Sequence, residues 1–159
     1  MTYCSTAFAV FNAGLKPILV DTEFLKPTID LYDLKKKINR KTKVILPVHL
    51  YGSVADLTGI KKLIKKKKIF LIDDCAQAHG SLDDSMIVKK KKKIGSTTDI
   101  SCFSLYPGKN LGAYGDAGII TTNNKVLYDR MKKIRNLGSD KKFKHDYIGL
   151  NSRLDTIQA

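Results

Sequence analysis

Short apolar runs alternate with amphipathic stretches along the chain. Ser5 can cap a helix that places Phe8 and Phe11 on one face and stops at Gly14. Pro17–Asp21 reads as a buried strand ending in an acid. Asp30 then caps a helix bearing Leu31, Leu34 and Ile38 at helical spacing. Lys43–Leu50 is the next predicted strand, and Leu57, Ile60 and Ile64 mark a further helix with Asp56 at its start. Ile69–Asp73 is an all-apolar strand that runs into acids. Asp99–Leu105 and Ala117–Thr122 are two more strands. Asn124 caps a last helix with Leu127, Met131 and Ile134 inward, ended by Gly138. Residues 83–93 form a polar excursion between strands, a loop or small hairpin. Leu154–Ala159 reads as the opening of a helix.

This alternation predicts an α/β domain with a mainly parallel sheet and helices on both faces. The near-continuous apolar strands fit a sheet covered on both sides. Ligand sites in such sheets lie beyond the carboxyl ends of strands. That directs attention to Asp73 and Asp74, and to the loop after Leu105. The chain has 159 residues, enough for one domain with a real core.

Charge changes the picture only slightly. Lys plus Arg total 29 against 15 for Asp plus Glu, a net charge of +14, and only Arg40, Arg130, Arg135 and Arg153 are arginines. The excess sits in monotonous tracts at Lys35–Lys37, Lys65–Lys68 and Lys89–Lys93. No aromatic is interleaved there to stack on bases, so solvated surface is the better reading, and specific nucleic-acid binding is not expected. No apolar run reaches the roughly 18 residues of a membrane helix, so no membrane partner is expected. The cysteines Cys4, Cys75 and Cys102 are odd in number, widely spaced and free of CxxC pairs. That argues against a metal site and for a reduced, cytoplasmic setting.

Two clusters carry chemistry. Asp73-Asp74-Cys75-Ala76-Gln77-Ala78-His79-Gly80 comes directly after a strand. A carboxylate there can hold a protonated nitrogen heterocycle through a charge-assisted bond, or simply cap the next helix. Ser104-Leu105-Tyr106-Pro107-Gly108-Lys109-Asn110-Leu111-Gly112 comes after another strand. Lys109 stands outside every lysine tract, in a Pro/Gly-rich loop that can hold its amine in a cleft. A Schiff-base role and an ordinary surface loop both remain open on composition alone.

The ordered pieces resemble one family. They are Thr2-Tyr3 with Gly14, Pro17–Asp21, Pro47–Gly52, Asp73–Gly80, Ser104–Gly112, Arg135–Ser139 and Gly149–Asp155. Together they resemble the DegT/DnrJ/StrS group of pyridoxal-phosphate (PLP) sugar aminotransferases. The resemblance implies the large domain of an aspartate-aminotransferase-like (fold type I) enzyme, with residues 1–159 as its central part and an N-terminal segment and C-terminal small domain outside this sequence. It implies that Lys109 is the Schiff-base lysine that binds PLP and then moves the substrate proton. By the same resemblance Asp74 pairs with the pyridine nitrogen and Gln77 lies near the ring hydroxyl. Tyr3 stacks on the ring and Ser104 binds the phosphate. Asn151 reaches the cofactor phosphate of a second subunit, so a homodimer is implied. Arg153 lies in that shared loop, and His79 either lines the substrate site or is a core or capping histidine.

Sugar dehydratases of the group carry His where this chain has Lys109, which favours amino transfer. The implied reaction moves an amino group, from glutamate as donor, to a nucleotide-linked keto sugar. Departures are Ala117 in place of a usual Gly, Thr97-Thr98 in place of an aromatic-Gly pair, and a loop lengthened by Lys89–Lys93. The alternative readings are an inactive remnant of such an enzyme and a basic nucleic-acid-binding module.

Overall fold

The computed structural model describes residues 1–83 and 92–159. Most of the expected polar excursion therefore lies outside the described residues. Helix α1 is Cys4–Asn12 and ends at Gly14, whose φ of +70° suits a residue without a Cβ. Tyr3, not Ser5, is its N-cap, and no side chain caps it. Helix α2 (Leu31–Lys37) starts as expected: the Asp30 carboxylate accepts the Asp33 N–H at 2.6 Å, and Leu34 is buried.

Pro17–Asp21 is not a strand. It has no partner strand among the described residues, and Ile18 and Leu19 are exposed. The hydrogen bonds here are local: Asp33 accepts from the Asp21 N–H, and Thr22 bridges Ile29. A strand exists only where a neighbour satisfies its backbone.

Strand β1 shortens to Val44–Ile45. A 3-10 turn (Leu50–Gly52) comes next, then α3 (Leu57–Ile64), which the Asp56 carboxylate caps by accepting the Gly59 N–H at 2.8 Å. The chain continues through β2 (Phe70–Asp74), β3 (Leu82–Asp83), β4 (Lys92–Lys93), β5 (Ile100–Ser104) and β6 (Gly118–Thr121). β3 and β4 pair antiparallel, so the described ends of the polar excursion form a two-stranded ribbon. Helix α4 (Lys125–Ile134) is capped by Asn124, which accepts the Val126 and Leu127 N–H groups. A short pair, β7 (Ser139–Lys141) and β8 (Lys144–His145), closes the order.

The main sheet runs β1-β2-β5-β6, with parallel pairs β1/β2 and β2/β5 and an antiparallel pair β5/β6. Pro47 lacks an N–H, yet pairing with β2 continues past it. Asp74 donates its N–H to Pro47, and His49 donates to the Asp74 carbonyl. The core lies on one face of the sheet, where Ile45 and Leu71 meet Leu34 of α2 and Leu57, Ile60 and Ile64 of α3. The other face, lined by Ile72, Asp74, Cys102 and Ser104, is half-buried, and α1 meets it at its carboxyl end through Thr6.

Beyond α4 the chain turns at Gly138 and returns at Gly149–Arg153. Leu150 donates to Ile134, and Ser152 donates to Arg135. A Cβ on Gly138 would run into the Tyr147 carbonyl, and one on Gly149 into the Gly138 N–H. Two main chains cross there with no room for side chains.

Candidate active site

Side chains alternate between the faces of a strand, so the adjacent acids Asp73 and Asp74 point to opposite sides of β2. Asp73 pairs in register with Ser101 and enters the core face, where it is fully buried. His49, also fully buried, lies 3.2 Å from its Oδ2 through Nε2. The Ala55 N–H donates to Nδ1 of His49, so that nitrogen is the acceptor and Nε2 carries the proton given to Asp73. Thr98 donates its hydroxyl to Oδ1 of Asp73 at 2.6 Å. Burial alone would push the Asp73 carboxyl up. The hydrogen bonds from His49, Ser101 and Thr98 outweigh it and hold the carboxyl below the usual carboxylate range.

His49, Asp73 and Cys75 also bring three potential ligand atoms within 4.8 Å of one another. Hydrogen bonds account for both imidazole nitrogens. Burial, with Asp73 close by, drives the Cys75 thiol far above its ordinary value, which keeps it protonated. The trio reads as a buried hydrogen-bonded node under the site.

Asp74 pairs with Cys102 and sits at the carboxyl edge of β2, half-buried. Its Oδ2 accepts the Thr6 hydroxyl at 2.9 Å, and its Oδ1 accepts the Ala76 N–H at 3.0 Å. Each oxygen keeps a lone pair, so the carboxylate can still accept one strong bond from a cationic N–H. Ser104 ends β5 on the same face as Cys102, and its hydroxyl accepts the Tyr106 N–H at 3.3 Å. Lys109 lies in the loop beyond. Its N–H donates to the Tyr106 carbonyl, and its half-buried side chain has no ion pair among the described residues. This donor set fits a planar heterocycle with a basic ring nitrogen, an aldehyde and a phosphate.

Gln77 accepts the Tyr51 N–H at 2.8 Å and so pins Tyr51 at a φ of +54°. That is a left-handed conformation few bulky residues adopt. Tyr3 is exposed at the start of α1. Asn151 bridges Asn136, and Arg153 donates to the Asn136 side chain at 3.0 Å, so both belong to the loop tied to α4. His79 is differently placed. Its ring packs 5.2 Å from that of Phe103, on the face of β5 that Ser101 shares, away from Asp74 and Ser104. Its two ring nitrogens are buried without hydrogen-bond partners among the described residues. Sequence reasoning misses Thr6 and Thr98 as site residues. The signals it offers are slight: Thr98 stands at a departure from the family pattern, and Thr2 and Thr6 lie four apart around Tyr3.

A cleft of about 410 Å³, lined by Asn39, Arg40, Thr42, Lys43, Lys67, Lys68 and Ile69, opens at the amino ends of β1 and β2. It lies at the opposite edge from Asp74, and its Arg and Lys side chains are exposed. Among the described residues, no helix is long and apolar enough to cross a membrane.

The model of the DegT/DnrJ/EryC1/StrS aminotransferase family matches residues 1–159. A dTDP-3-amino-3,4,6-trideoxy-alpha-D-glucose transaminase of Streptomyces venezuelae is 38% identical over 99% of this chain and 40% of its own length. A dTDP-3-amino-3,6-dideoxy-alpha-D-galactopyranose transaminase of Aneurinibacillus thermoaerophilus is 43% identical over 99% of this chain and 42% of its own. The chain thus spans about two fifths of the curated relatives it matches. Among solved structures, S. venezuelae DesV in complex with a ketimine intermediate superposes with a TM-score of 0.91 at 38% identity, covering 99% of this chain and 41% of that one. NtdA from Bacillus subtilis, solved with bound cofactor PMP, gives 0.83 at 32% identity, covering 99% and 34%. The expected α/β fold with a mainly parallel sheet is therefore that of these enzymes.

Proposed function

Because this chain belongs to the DegT/DnrJ/EryC1/StrS aminotransferase family, we propose that it is the central part of the large domain of a PLP-dependent sugar aminotransferase. The enzyme moves an amino group, with glutamate as donor, onto the keto group of a nucleotide-linked sugar. The observation that carries this reading is the carboxylate of Asp74, fixed by Thr6 and Ala76 at the sheet edge, with the amine of Lys109 in the loop after the neighbouring strand.

Bound PLP supplies a carbonyl that condenses with amines and a ring that takes up an electron pair. The chain's residues do the rest. Asp74 holds a proton on the ring nitrogen through a charge-assisted hydrogen bond. Lys109 would hold the cofactor through its side-chain amine, and the same amine, when free, would move the proton at the substrate carbon. Ser104 gives a hydroxyl to the phosphate. Tyr3 lies against the ring face, and Gln77 presents its amide toward the ring hydroxyl. Asn151 and Arg153 serve the site of a second copy.

The test is borohydride reduction of the PLP-loaded protein, then peptide mass spectrometry, beside a half-transamination assay with glutamate and a panel of nucleotide keto sugars. Lys109 is expected to carry the reduced cofactor, and Lys109→Ala is expected to lose both the label and the visible absorbance band of the loaded protein. A label retained in Lys109→Ala rejects the assignment.

A further inference from the structure

Asp74 is not held by its own strand alone. Thr2 donates its hydroxyl to the Thr6 hydroxyl at 2.9 Å, and Thr6 donates to Oδ2 of Asp74 at 2.9 Å. The two threonines are four residues apart and bracket Tyr3, the N-cap of α1. Thr6 is half-buried and Thr2 exposed, so the relay runs from the surface into the site. The Thr6 hydroxyl both accepts and donates, and such chains strengthen the terminal bond.

We infer that Thr6, backed by Thr2, is a positioning residue that sets the direction in which Asp74 presents its free lone pairs, and that ties the aromatic at position 3 to the same carboxylate. This rests on the proposed pairing of Asp74 with the ring nitrogen. Three observations support it. The Ala76 N–H fixes only Oδ1, and a carboxylate held at one oxygen turns about its Cβ–Cγ bond. The Thr6 bond reaches the Asp74 side chain from a different element, 68 residues away in sequence. Helix α1 has no fully buried residue and only Thr6, Ala7 and Val10 half-buried, so packing alone holds its approach to Asp74 weakly. The neighbouring acid Asp73 faces the other side and is already engaged by His49 and Thr98, so it does not substitute.

The test loads the protein with PLP isotopically labelled at the ring nitrogen and follows that nitrogen by NMR across the neutral and alkaline range. Thr6→Val is expected to release the ring proton at a pH about one unit lower than the unmodified protein, and to weaken PLP binding about tenfold, as loss of one bond to a charged group predicts. Thr6→Ser keeps the hydroxyl and is expected to titrate as the unmodified protein does. Should Thr6→Val fold poorly, Thr6→Ala gives the same readout. An unchanged titration in a folded Thr6→Val or Thr6→Ala variant overturns the inference, as does failure of Thr6→Ser to restore it. If the unmodified protein forms no borohydride-reducible link at Lys109, the proposed function itself fails, and the two outcomes are thereby kept apart.

Discussion

Asp73 shows how a single carboxylate is kept charged with no access to water. Its two oxygens receive the His49 Nε2–H and the Thr98 hydroxyl, and the Ala55 N–H fixes the tautomer of the imidazole from behind. The folded protein holds this carboxyl below its ordinary value while the unfolded chain does not. Its contribution is therefore full above the unfolded value of about 3.9 and is lost as pH falls through the lower folded value. Stability measured by urea unfolding is expected to decline in that acid range. Thr98→Val is expected to cost about 1–3 kcal/mol at neutral pH by removing one of the hydrogen bonds to the buried carboxylate, and a loss below about 0.5 kcal/mol would contradict this account. In the sequence, Asp73 and Asp74 are two neighbouring acids at a strand end. Period-two alternation separates them, but which face becomes the core depends on α2 and α3, which no local pattern at the acids reveals. The histidine Nε2 proton is equally illegible, because its cause is a backbone N–H six residues on.

At the scale of elements, polar caps and apolar periodicity are readable together. Asp30, Asp56 and Asn124 cap the helices expected of them, because the signal and its partner N–H groups lie within one turn. Helix α3 is the clearest case: Leu57, Ile60 and Ile64 are buried and Lys61 and Lys62 are not. Ile60 is fully enclosed between α2 and the sheet, so Ile60→Ala is expected to lower unfolding free energy by about 2–5 kcal/mol. A change under about 1 kcal/mol in urea unfolding would show that the core is not where these contacts put it. Strands are less legible. Pro17–Asp21 has the composition of a strand and lacks a neighbour among the described residues. Lys43–Leu50 is interrupted because Pro47 has no N–H to give. A strand is a property of two segments, and one segment's sequence reports only half of it.

Across the whole molecule, apolar surface remains uncovered. Phe8 and Phe11 on α1, Ile119 and Ile120 on β6, and Ile148 beside the returning loop are all exposed. The loop bearing Asn151 and Arg153 lies on the outside, fastened to the end of α4. A homodimer in which this loop reaches the partner's cofactor phosphate is a consequence of the proposed function. Sedimentation at micromolar concentration is expected to give twice the protein's own mass, and a monomer there would remove Asn151 from the proposed site. The crossing of Gly138 and Gly149 bears on that reach. A side chain at either position forces two backbones apart, and the outward loop swings with them. In the proposed homodimer, the reach of that loop would thus depend on two hydrogens in place of methyl groups, a constraint that any redesign of the contact has to leave alone.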